Sequence, residues 1–312
     1  MDDRLVIKVS KWYYEDQVTQ EEIARRVGIS RSTISRMLTY ARRQGIVKIT
    51  VESPPSELFD FGLETFLESQ FGLSEVLVCN CDPQSSGSVL GAMAADLLLR
   101  NLTSGQSIGL SWGRSVAAVV DAVPRTRDVN DLTVVALSGG VGAVKQGYLG
   151  NTLVLKLAER LNAQAITLDA PAILQQETYQ RLVAEPAVAR VLECAQTVDI
   201  ALVGIGAVGV FSTLTATEYL APHMVATLES MGAVGDLCSR FYSADGQLID
   251  SDLDRRTIGI TFDALKRVPR VIGIAWGQEK VLAILGALRL GVLNVLVTDK
   301  MTALLLKHSL EA

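Results

Sequence analysis

Three glycine-rich turns carry polar or charged side chains that could bind a small anion. They are Ser111-Trp112-Gly113-Arg114, Ser138-Gly139-Gly140 and Gly204-Ile205-Gly206. Glycine exposes backbone amides, and amides at the start of a helix attract negative charge. Arg114 and the later Lys280 could add charge-assisted hydrogen bonds. One glycine after a strand usually serves only turn geometry, but the three together predict a site for a polar or phosphorylated ligand.

One of these turns also matches the fingerprint of dinucleotide-binding proteins. Residues 204–209 read Gly-x-Gly-x-x-Gly and follow an apolar run. The pyrophosphate of a dinucleotide needs a helix directly after the glycines, but residues 210–217 are rich in β-branched and hydroxyl side chains. Glu229 lies in a helical stretch where an acid at a strand end is expected. A dinucleotide-binding redox sensor is therefore kept only as an alternative.

The elements that position these turns follow an alternating pattern. Short β-rich runs alternate with helical periodicity, which predicts an α/β fold whose parallel sheet has helices on both faces. Ligands bind such sheets at the carboxyl ends of the strands, where the glycine turns lie. The predicted segments are residues 75–79, 89–102, 107–110, 115–122, 132–137, 152–161, 165–168, 187–195, 200–205, 271–275, 280–290 and 292–298. A further helix is predicted over residues 57–71.

The first 44 residues fit three short helices, the first over residues 5–16. Thr19 is placed to cap the second helix, and Glu22 three residues later completes a capping box. Small Ala24 lets two helices cross closely, and Gly28 supplies the left-handed backbone of a tight turn. Ser30 opens the third helix. This arrangement is typical of a DNA-binding helix-turn-helix.

The third predicted helix presents arginines and hydroxyls on the face opposite its apolar side. Arginine pairs with guanine in the major groove, and short hydroxyls reach phosphates or thymine. The residues predicted to contact DNA are Thr19, Gln20, Ser30, Arg31, Ser32, Thr33, Ser35, Arg36, Tyr40, Arg42 and Arg43. Alternating residues 46–51 predict a strand that would form a small wing. A three-helix packing module with an ordinary solvated basic surface is the alternative.

Charge is distributed unevenly along the 312 residues. Residues 1–51 hold ten basic and six acidic side chains, whereas residues 52–312 hold 19 basic and 28 acidic ones. Residues 1–51 are therefore basic overall and the rest of the chain is acidic, which predicts a polyanionic partner for residues 1–51 only. Pro54 and Pro55 mark the linker between them. We expect a DNA-binding domain at 1–52, a linker and helix at 53–71, and an effector-binding and oligomerisation domain at 72–312.

Cysteine spacing, hydropathy and the N-terminal residues argue against a metal-binding, a membrane-spanning and a secreted protein. The four cysteines include no CxxC pair, so Cys79 and Cys81 are interpreted as structural, and we predict neither a metal nor a cofactor. The most apolar stretch, residues 281–297, is interrupted by Arg289 and Asn294, so no membrane span is predicted. The N-terminus lacks the pattern of a signal peptide, so we expect a cytoplasmic protein.

Several motifs together resemble the SorC family of bacterial transcriptional regulators. These are the helix-turn-helix, Ser-Trp-Gly-Arg at 111–114, Leu-Ser-Gly-Gly-Val-Gly at 137–142, Asp-Ile-Ala-Leu-Val-Gly-Ile-Gly at 199–206, Val-Gly-Asp-Leu-Cys-Ser-Arg-Phe at 234–241 and Leu-Asn-Val-Leu-Val-Thr-Asp at 293–299. The resemblance covers nearly the whole chain. It implies a sugar-binding domain similar to sugar-phosphate isomerases and deaminases, assembly as a tetramer, and DNA affinity controlled by a sugar, polyol or sugar phosphate.

The resemblance also implies where the effector binds. The implied residues are Ser111, Trp112, Gly113, Arg114, Ser138, Gly139, Gly140, Gly204, Gly206, Asp236, Trp276 and Lys280. Many relatives carry paired glycines where this chain has Trp276, and a tryptophan there would narrow the pocket or stack on a sugar. This weakens the case for a bulky phosphorylated effector. Asp236 is interpreted either as a ligand to a hydroxyl or as the cap of a helix that begins at Leu237.

Operator DNA, a small effector and further copies of this chain are the expected partners. We expect a regulator of a carbohydrate or polyol uptake or catabolism operon, with no catalytic residues. A sugar-phosphate isomerase or deaminase with a DNA-binding appendage is the enzyme alternative. It needs a positioned base, often a carboxylate near a histidine, but His223 and His308 lie outside all the predicted strand-end turns.

Overall fold

A computed structural model describes residues 2–49, 58–82, 84–142, 146–209, 214 and 219–311. The chain divides into two compact units, Met1–Ser56 and Glu57–Ala312. The predicted linker at Pro54 and Pro55 lies outside the described residues.

The described part of the first unit contains three helices, α1 (Asp3–Tyr14), α2 (Gln20–Val27) and α3 (Arg31–Arg43). The Thr19 hydroxyl accepts a hydrogen bond from the Glu22 amide at 3.3 Å and so caps α2 as predicted. The Glu22 carboxylate pairs with Arg26 instead of completing a capping box. Gly28 ends α2 at φ +73°, and Ser30 caps α3. The three helices bury a common apolar core.

The strand predicted over residues 46–51 is wrong where the structure describes it. Residues 46–49 have no strand conformation, and residues 50 and 51 lie outside the described range. The Val47 amide donates to the Ala41 carbonyl at 3.2 Å, so the chain folds back on the end of α3. A strand needs a hydrogen-bonded neighbour, and alternating side chains alone do not supply one.

The second unit contains the predicted alternation of strands and helices. Its first half contains α4 (Phe61–Phe71), β1 (Glu75–Cys79), α5 (Ser86–Asn101), β2 (Ser107–Leu110), α6 (Arg114–Ala122), β3 (Thr133–Ala136), α7 (Gly150–Leu161), β4 (Gln164–Ile166), α8 (Gln176–Val183), α9 (Pro186–Ala195) and β5 (Ile200–Gly204). Its second half contains β6 (Gly206–Ala207), α10 (Pro222–Ser230), β7 (Ala233–Leu237), β8 (Arg240–Ser243), α11 (Asp252–Arg255), α12 (Phe262–Leu265), β9 (Arg270–Ile274), α13 (Val281–Leu290), β10 (Val295–Asp299) and α14 (Lys300–Glu311).

Seven described strands form one parallel sheet in the order β1-β10-β9-β5-β2-β3-β4. Apolar clusters cover both faces, which explains why β10 is buried along its whole length. After β2 the chain adds β3 and then β4 on one side of the sheet. After β5 it adds β9 and then β10 on the opposite side. The sheet order therefore reverses between β2 and β5, and such a reversal leaves a crevice at the carboxyl ends of the two strands.

A second sheet and two local differences were not predicted from the sequence. Strands β6, β7 and β8 form a small antiparallel sheet. Asp236 lies on β7, so its interpretation as a helix cap is wrong. Helix α4 begins at Phe61 and not at residue 57, because Asp60 caps it through the Leu63 amide at 3.1 Å.

Candidate functional site

A cleft lies at the carboxyl ends of β2 and β5, where the order of the sheet reverses. We call it the β2–β5 cleft. It is lined by Ser111, Trp112, Gly113, Arg114, Ser115, Gly204, Ile205, Gly206, Ala207, Leu214, Asp236, Cys238 and Lys280. The structure therefore brings together two of the three predicted glycine turns, and it adds Asp236 and Lys280 from distant parts of the sequence.

Helix α6 begins directly at this cleft. Gly113 precedes the helix at φ +121°, a conformation that L side chains rarely adopt. Its carbonyl accepts the first intrahelical bond, from the Ala117 amide at 3.0 Å. Among the described residues no side chain caps this helix. The amides of residues 114–116 thus have no acceptor within α6, and they provide the positive end of its dipole.

Hydrogen bonds hold the two turns in register. The Gly204 amide donates to the buried Ser111 hydroxyl at 3.0 Å and so ties the end of β5 to the end of β2. Trp112 donates from its indole nitrogen to the Ser239 hydroxyl at 3.3 Å, which connects the same turn to the β7–β8 hairpin. The cleft is therefore built from both sheets, and its walls are fixed by side chains as well as by the strands.

Asp236 forms a buried acidic wall of the cleft. The carboxyl is 5% exposed and accepts a hydrogen bond from the Ser239 amide at 3.2 Å. Burial raises the pKa of Asp236 to about 6, while the Ser239 bond and Lys280 oppose the shift. A Cβ atom at Gly206 would lie 1.9 Å from its Oδ1. Glycine at 206 is therefore required for the carboxyl to reach this position.

Lys280 supplies a half-buried cation to the lining of the cleft. Its Nζ donates to the Ile205 carbonyl at 2.8 Å. Burial and the nearby Arg114 lower the pKa of Lys280 to about 8, while Asp236 and Glu279 oppose the shift. The amine therefore remains mostly protonated at neutral pH. With the exposed Arg114 at its edge, the cleft carries two cations, one carboxyl and the start of a helix, which favours an anionic ligand.

The third predicted turn does not line this cleft. The amides of Gly139 and Gly140 donate to the carbonyls of Ile258 and Ala170, at 3.0 and 2.8 Å. They are engaged in backbone pairing and cannot bind an anion in this arrangement. Ser138 is 4% exposed, and its hydroxyl has no hydrogen-bond partner among the described residues. These three predicted residues therefore do not line the cleft.

Trp276 lies outside the β2–β5 cleft and lines another cavity. We call this the α5–α14 cavity. It is lined by Asn80, Cys81, Ser86, Trp276, Gly277, Gln278, Asp299, Lys300, Met301, Thr302 and Leu304. This tryptophan therefore cannot narrow the β2–β5 cleft, and it gives no argument against a phosphorylated ligand in that cleft.

Sequence reasoning missed five residues of the cleft. They are Ser115, Ile205, Ala207, Leu214 and Cys238. Cys238 has φ +53° and Ser239 has φ +66°, which makes a tight connection between β7 and β8. Two such non-glycine residues give no clear turn signal in the sequence, so the hairpin that brings Cys238 to the cleft was not predicted.

Within residues 204–209 the geometry does not fit the dinucleotide alternative. Residues 210–213 and 215–217, on which part of the sequence argument rests, lie outside the described residues. After β5, Gly206 and Ala207 continue as strand β6, which pairs with β7. A dinucleotide fingerprint requires a helix N-terminus at this point, because its amides bind the pyrophosphate. The described residues also contain no group of three or more His, Cys, Asp or Glu side chains that could hold a metal ion.

The first unit presents a separate basic surface. Along α3, Arg31, Ser32, Ser35 and Arg36 are exposed, and Arg42 and Arg43 are exposed at its end. Thr33 is half-buried and accepts a hydrogen bond from Arg36 at 3.3 Å. Ser30 and Thr19 cap helices, and Gln20 is half-buried at the start of α2. Tyr40 is half-buried against the core. The exposed groups match what a recognition helix offers to the major groove.

Comparison with known proteins finds similar families for both units. The family model described as "Putative sugar-binding domain" matches residues 57–306, and the "Sigma-70, region 4" model matches residues 2–44. No helix among the described residues is long and apolar enough to cross a membrane.

Two relatives and one solved structure match nearly the whole chain. The sorbitol operon regulator of Klebsiella pneumoniae is 35% identical over 310 residues, which is 98% of this chain and 98% of that protein. The deoxyribonucleoside regulator of Bacillus subtilis is 30% identical over 311 residues, again 98% of both. The crystal structure of the full-length Klebsiella regulator SorC matches with a TM-score of 0.76 at 35% identity, over 98% of this chain and 99% of that chain. The chain therefore belongs to the SorC family of sugar-responsive transcriptional regulators, and its relatives are regulators, not enzymes.

Proposed function

We propose that the β2–β5 cleft binds the effector and that this effector is a phosphorylated sugar or polyol. The observation that carries the proposal is the pairing of Arg114 and Lys280 beside the uncapped start of α6. A neutral sugar would leave both cations without an anionic partner. A phosphate can bind both cations and also the amides at the start of α6, which have no acceptor within the helix. The names of the sorbitol and deoxyribonucleoside regulators support a polyol or pentose derivative.

The cleft assigns different parts of this ligand to different walls. The phosphate takes the amides of residues 114–116 together with Arg114 and Lys280. The hydroxyls of the sugar meet Asp236, which accepts or donates a hydrogen bond according to its protonation state. The indole of Trp112 forms part of the wall, held by its bond to Ser239. In this proposal Ser138, Gly139 and Gly140 do not contact the ligand.

The first unit binds operator DNA through α3. In this proposal Arg31 and Arg36 read bases, and Arg42 and Arg43 bind phosphates. One such helix contacts too few bases to give sequence specificity. An oligomer therefore places two DNA-binding domains on a nearly palindromic operator. We propose a tetramer in the cytoplasm, in which residues 1–52 bind DNA, residues 53–71 connect, and residues 72–312 bind effector and associate. The effector changes DNA affinity by favouring one geometry of the tetramer.

Thermal denaturation of the purified full-length chain tests the effector proposal. D-Glucitol, D-fructose, their 6-phosphates, deoxyribose 5-phosphate and nicotinamide dinucleotides are added one at a time, because a ligand of the folded state raises the Tm. The expected result is a shift with a phosphorylated compound that the Lys280→Met variant loses. A shift only with unphosphorylated compounds contradicts the proposal, and a shift only with dinucleotides favours the redox sensor.

Operator binding by α3 variants tests the DNA proposal. Replacing Arg31 or Arg36 with Ala is expected to weaken specific binding by roughly 1–3 kcal/mol each. Arg25→Ala, at an exposed position on α2, removes the same charge outside the predicted surface and serves as the control. Equal losses in all three variants would show that α3 does not read the operator.

A further inference from the structure

The α5–α14 cavity lies at the ligand-binding edge of the sheet, but away from the β2–β5 cleft. It is formed where β1 ends at Cys79, where β10 ends at Asp299, and in the turn after β9 that contains Trp276. Its volume is about 650 Å³. Small-molecule sites typically have volumes of roughly 300–1,000 Å³ and lie at this edge of parallel sheets. Position and size therefore suit a second small ligand.

One wall of this cavity is an aromatic surface held in a fixed position. Trp276 is half-buried, and its Cζ2 lies 3.4 Å from where a Cβ atom at Gly87 would be. At these distances the indole lies in van der Waals contact with the first turn of α5. Gly277, at φ +107°, makes the turn that follows. Met301, which is 62% exposed, and Leu304 extend the apolar wall.

Two charged side chains line the α5–α14 cavity, the anion Asp299 and the cation Lys300, and each has a hydrogen-bond or ion-pair partner. Asp299 accepts hydrogen bonds from the Thr302 amide and hydroxyl at 2.8 and 2.9 Å, so it caps α14. The Nζ of Lys300 lies 3.0 Å from the Asp60 carboxylate and helps to lower the pKa of Asp60. The indole of Trp276 covers the first turn of α5. A phosphate would therefore lose its water here without gaining an unpaired cation.

Polar groups complete the lining without adding charge. The exposed Gln278 offers an amide that both donates and accepts hydrogen bonds, and Asn80 carries the same group at the end of β1. Such amides suit hydroxyl groups, which also donate and accept. A ring or chain with an apolar face and several hydroxyls fits both the indole and these amides.

We propose that the α5–α14 cavity is a second ligand site, which binds a small uncharged polyhydroxylated molecule, a sugar or a polyol, against Trp276. The chain then carries two chemically different sites at one edge of its sheet. This inference does not depend on the proposed function of the β2–β5 cleft, because the two sites share no lining residue.

The three tryptophans allow each region to be observed separately. Trp12 lies in the first unit, Trp112 lines the β2–β5 cleft and Trp276 lines the α5–α14 cavity. In the full-length chain, Trp12→Phe with Trp112→Phe leaves Trp276 as the sole reporter, and Trp12→Phe with Trp276→Phe leaves Trp112. Each protein is titrated with D-glucitol, D-glucose, D-fructose and myo-inositol, and then with glucose 6-phosphate and glucitol 6-phosphate.

The expected result is a saturable change in Trp276 emission with at least one uncharged compound, and binding roughly tenfold weaker or more for its phosphate. The Trp112 protein should show no such preference for the uncharged compound. Met301→Ser, at an exposed position that folding tolerates, should weaken the Trp276 response severalfold without altering the Tm by more than a few degrees.

Three results would overturn the proposal. The first is the absence of a saturable Trp276 response to any of the four uncharged compounds while the protein remains folded. The second is equal or tighter binding of the phosphates at Trp276. The third is a Trp276 emission that changes with protein concentration alone, which would show that a second copy of the chain covers the cavity. None of these affects the Trp112 response, so the proposed function is judged separately.

Discussion

The β2–β5 cleft and the α5–α14 cavity lie at the same edge of one parallel sheet, yet their charged groups have different partners. In the cleft, α6 starts at Gly113 without a side-chain cap among the described residues, and Lys280 donates only to a neutral carbonyl in the bonds described here. In the cavity, Asp299 caps α14 and Lys300 pairs with Asp60. The two positions therefore differ most clearly in their lysines, since Lys300 has a carboxylate partner and Lys280 has none among the described residues.

The largest effect is expected from a methyl group at position 206. Gly206→Ala places a Cβ 1.9 Å from Asp236 Oδ1, so the carboxyl must leave its position in the wall of the cleft. We expect a loss of roughly a hundredfold or more in affinity for a phosphorylated ligand, because the displaced carboxyl disturbs the wall that binds it. Gly204→Ala is the matched control, because its Cβ would meet no atom closer than 3.8 Å. Calorimetric titration of both variants checks this, and equal losses would contradict the assigned geometry.

The next effect concerns the pH dependence of stability at Asp236. Its pKa is about 6 in the folded chain against 3.8 as the ordinary value. A raised pKa means that the folded state holds the proton more tightly, so this contribution to stability is present at low pH and is lost as pH rises through about 6. Relative to Asp236→Asn, the free energy of unfolding of the wild type should fall by about 2 kcal/mol between pH 4 and pH 7. Urea denaturation across this range measures the difference, and parallel curves would refute it.

Replacing the cleft lysine should separate binding from stability. Lys280→Met removes one charge-assisted bond and is expected to weaken phosphate binding by about 10–100-fold. It should also raise the Tm at pH 7, because a half-buried cation is replaced by an apolar chain. Lys300→Met is the matched control, because it removes one cation from the α5–α14 cavity. It should leave the affinity of the β2–β5 cleft for phosphate unaltered. A similar loss in both variants would show that net charge, and not position, controls binding.

The smallest effect is a pH profile of binding. The pKa of Lys280 is about 8, so the unliganded cleft loses its second cation as pH rises above that value. Phosphate affinity should fall by up to about tenfold per pH unit above pH 8. Lys280→Arg stays charged and should have a flat profile over the same range. Titrations from pH 7 to 9.5 test this, and a flat wild-type profile would remove Lys280 from phosphate binding.

Local patterns predicted the elements well because their signals lie within a few residues. Thr19, Gly28 and Ser30 mark the ends of helices through hydrogen bonds and backbone angles that neighbouring residues determine. The parallel sheet followed from apolar runs that alternate with helices. The failed wing shows the limit of this reasoning, since residues 46–49 alternate correctly but have no paired strand.

The cleft was predicted only in part, because its walls depend on distant pairing. Ser111 and Gly204 meet through the neighbouring strands β2 and β5, and their turns were recognised. Asp236 and Lys280 were named through family resemblance, but their burial and altered pKa values come from packing. Gly139 and Trp276 were expected in the same pocket. Backbone pairing with Ile258 and the turn after β9 place them elsewhere.

The sequence by itself determined the helix-turn-helix, the α/β alternation and the family of this chain, because caps, turns and hydrophobic periodicity are properties of neighbouring residues. The tertiary structure alone decided which glycine amides remain available and which lysine has a carboxylate partner. Both depend on strand order and on contacts between residues far apart in the chain. For this reason Arg114 and Lys280 line the β2–β5 cleft with no carboxylate paired to Lys280 among the described residues, whereas Lys300, an equally suitable cation, is paired with Asp60.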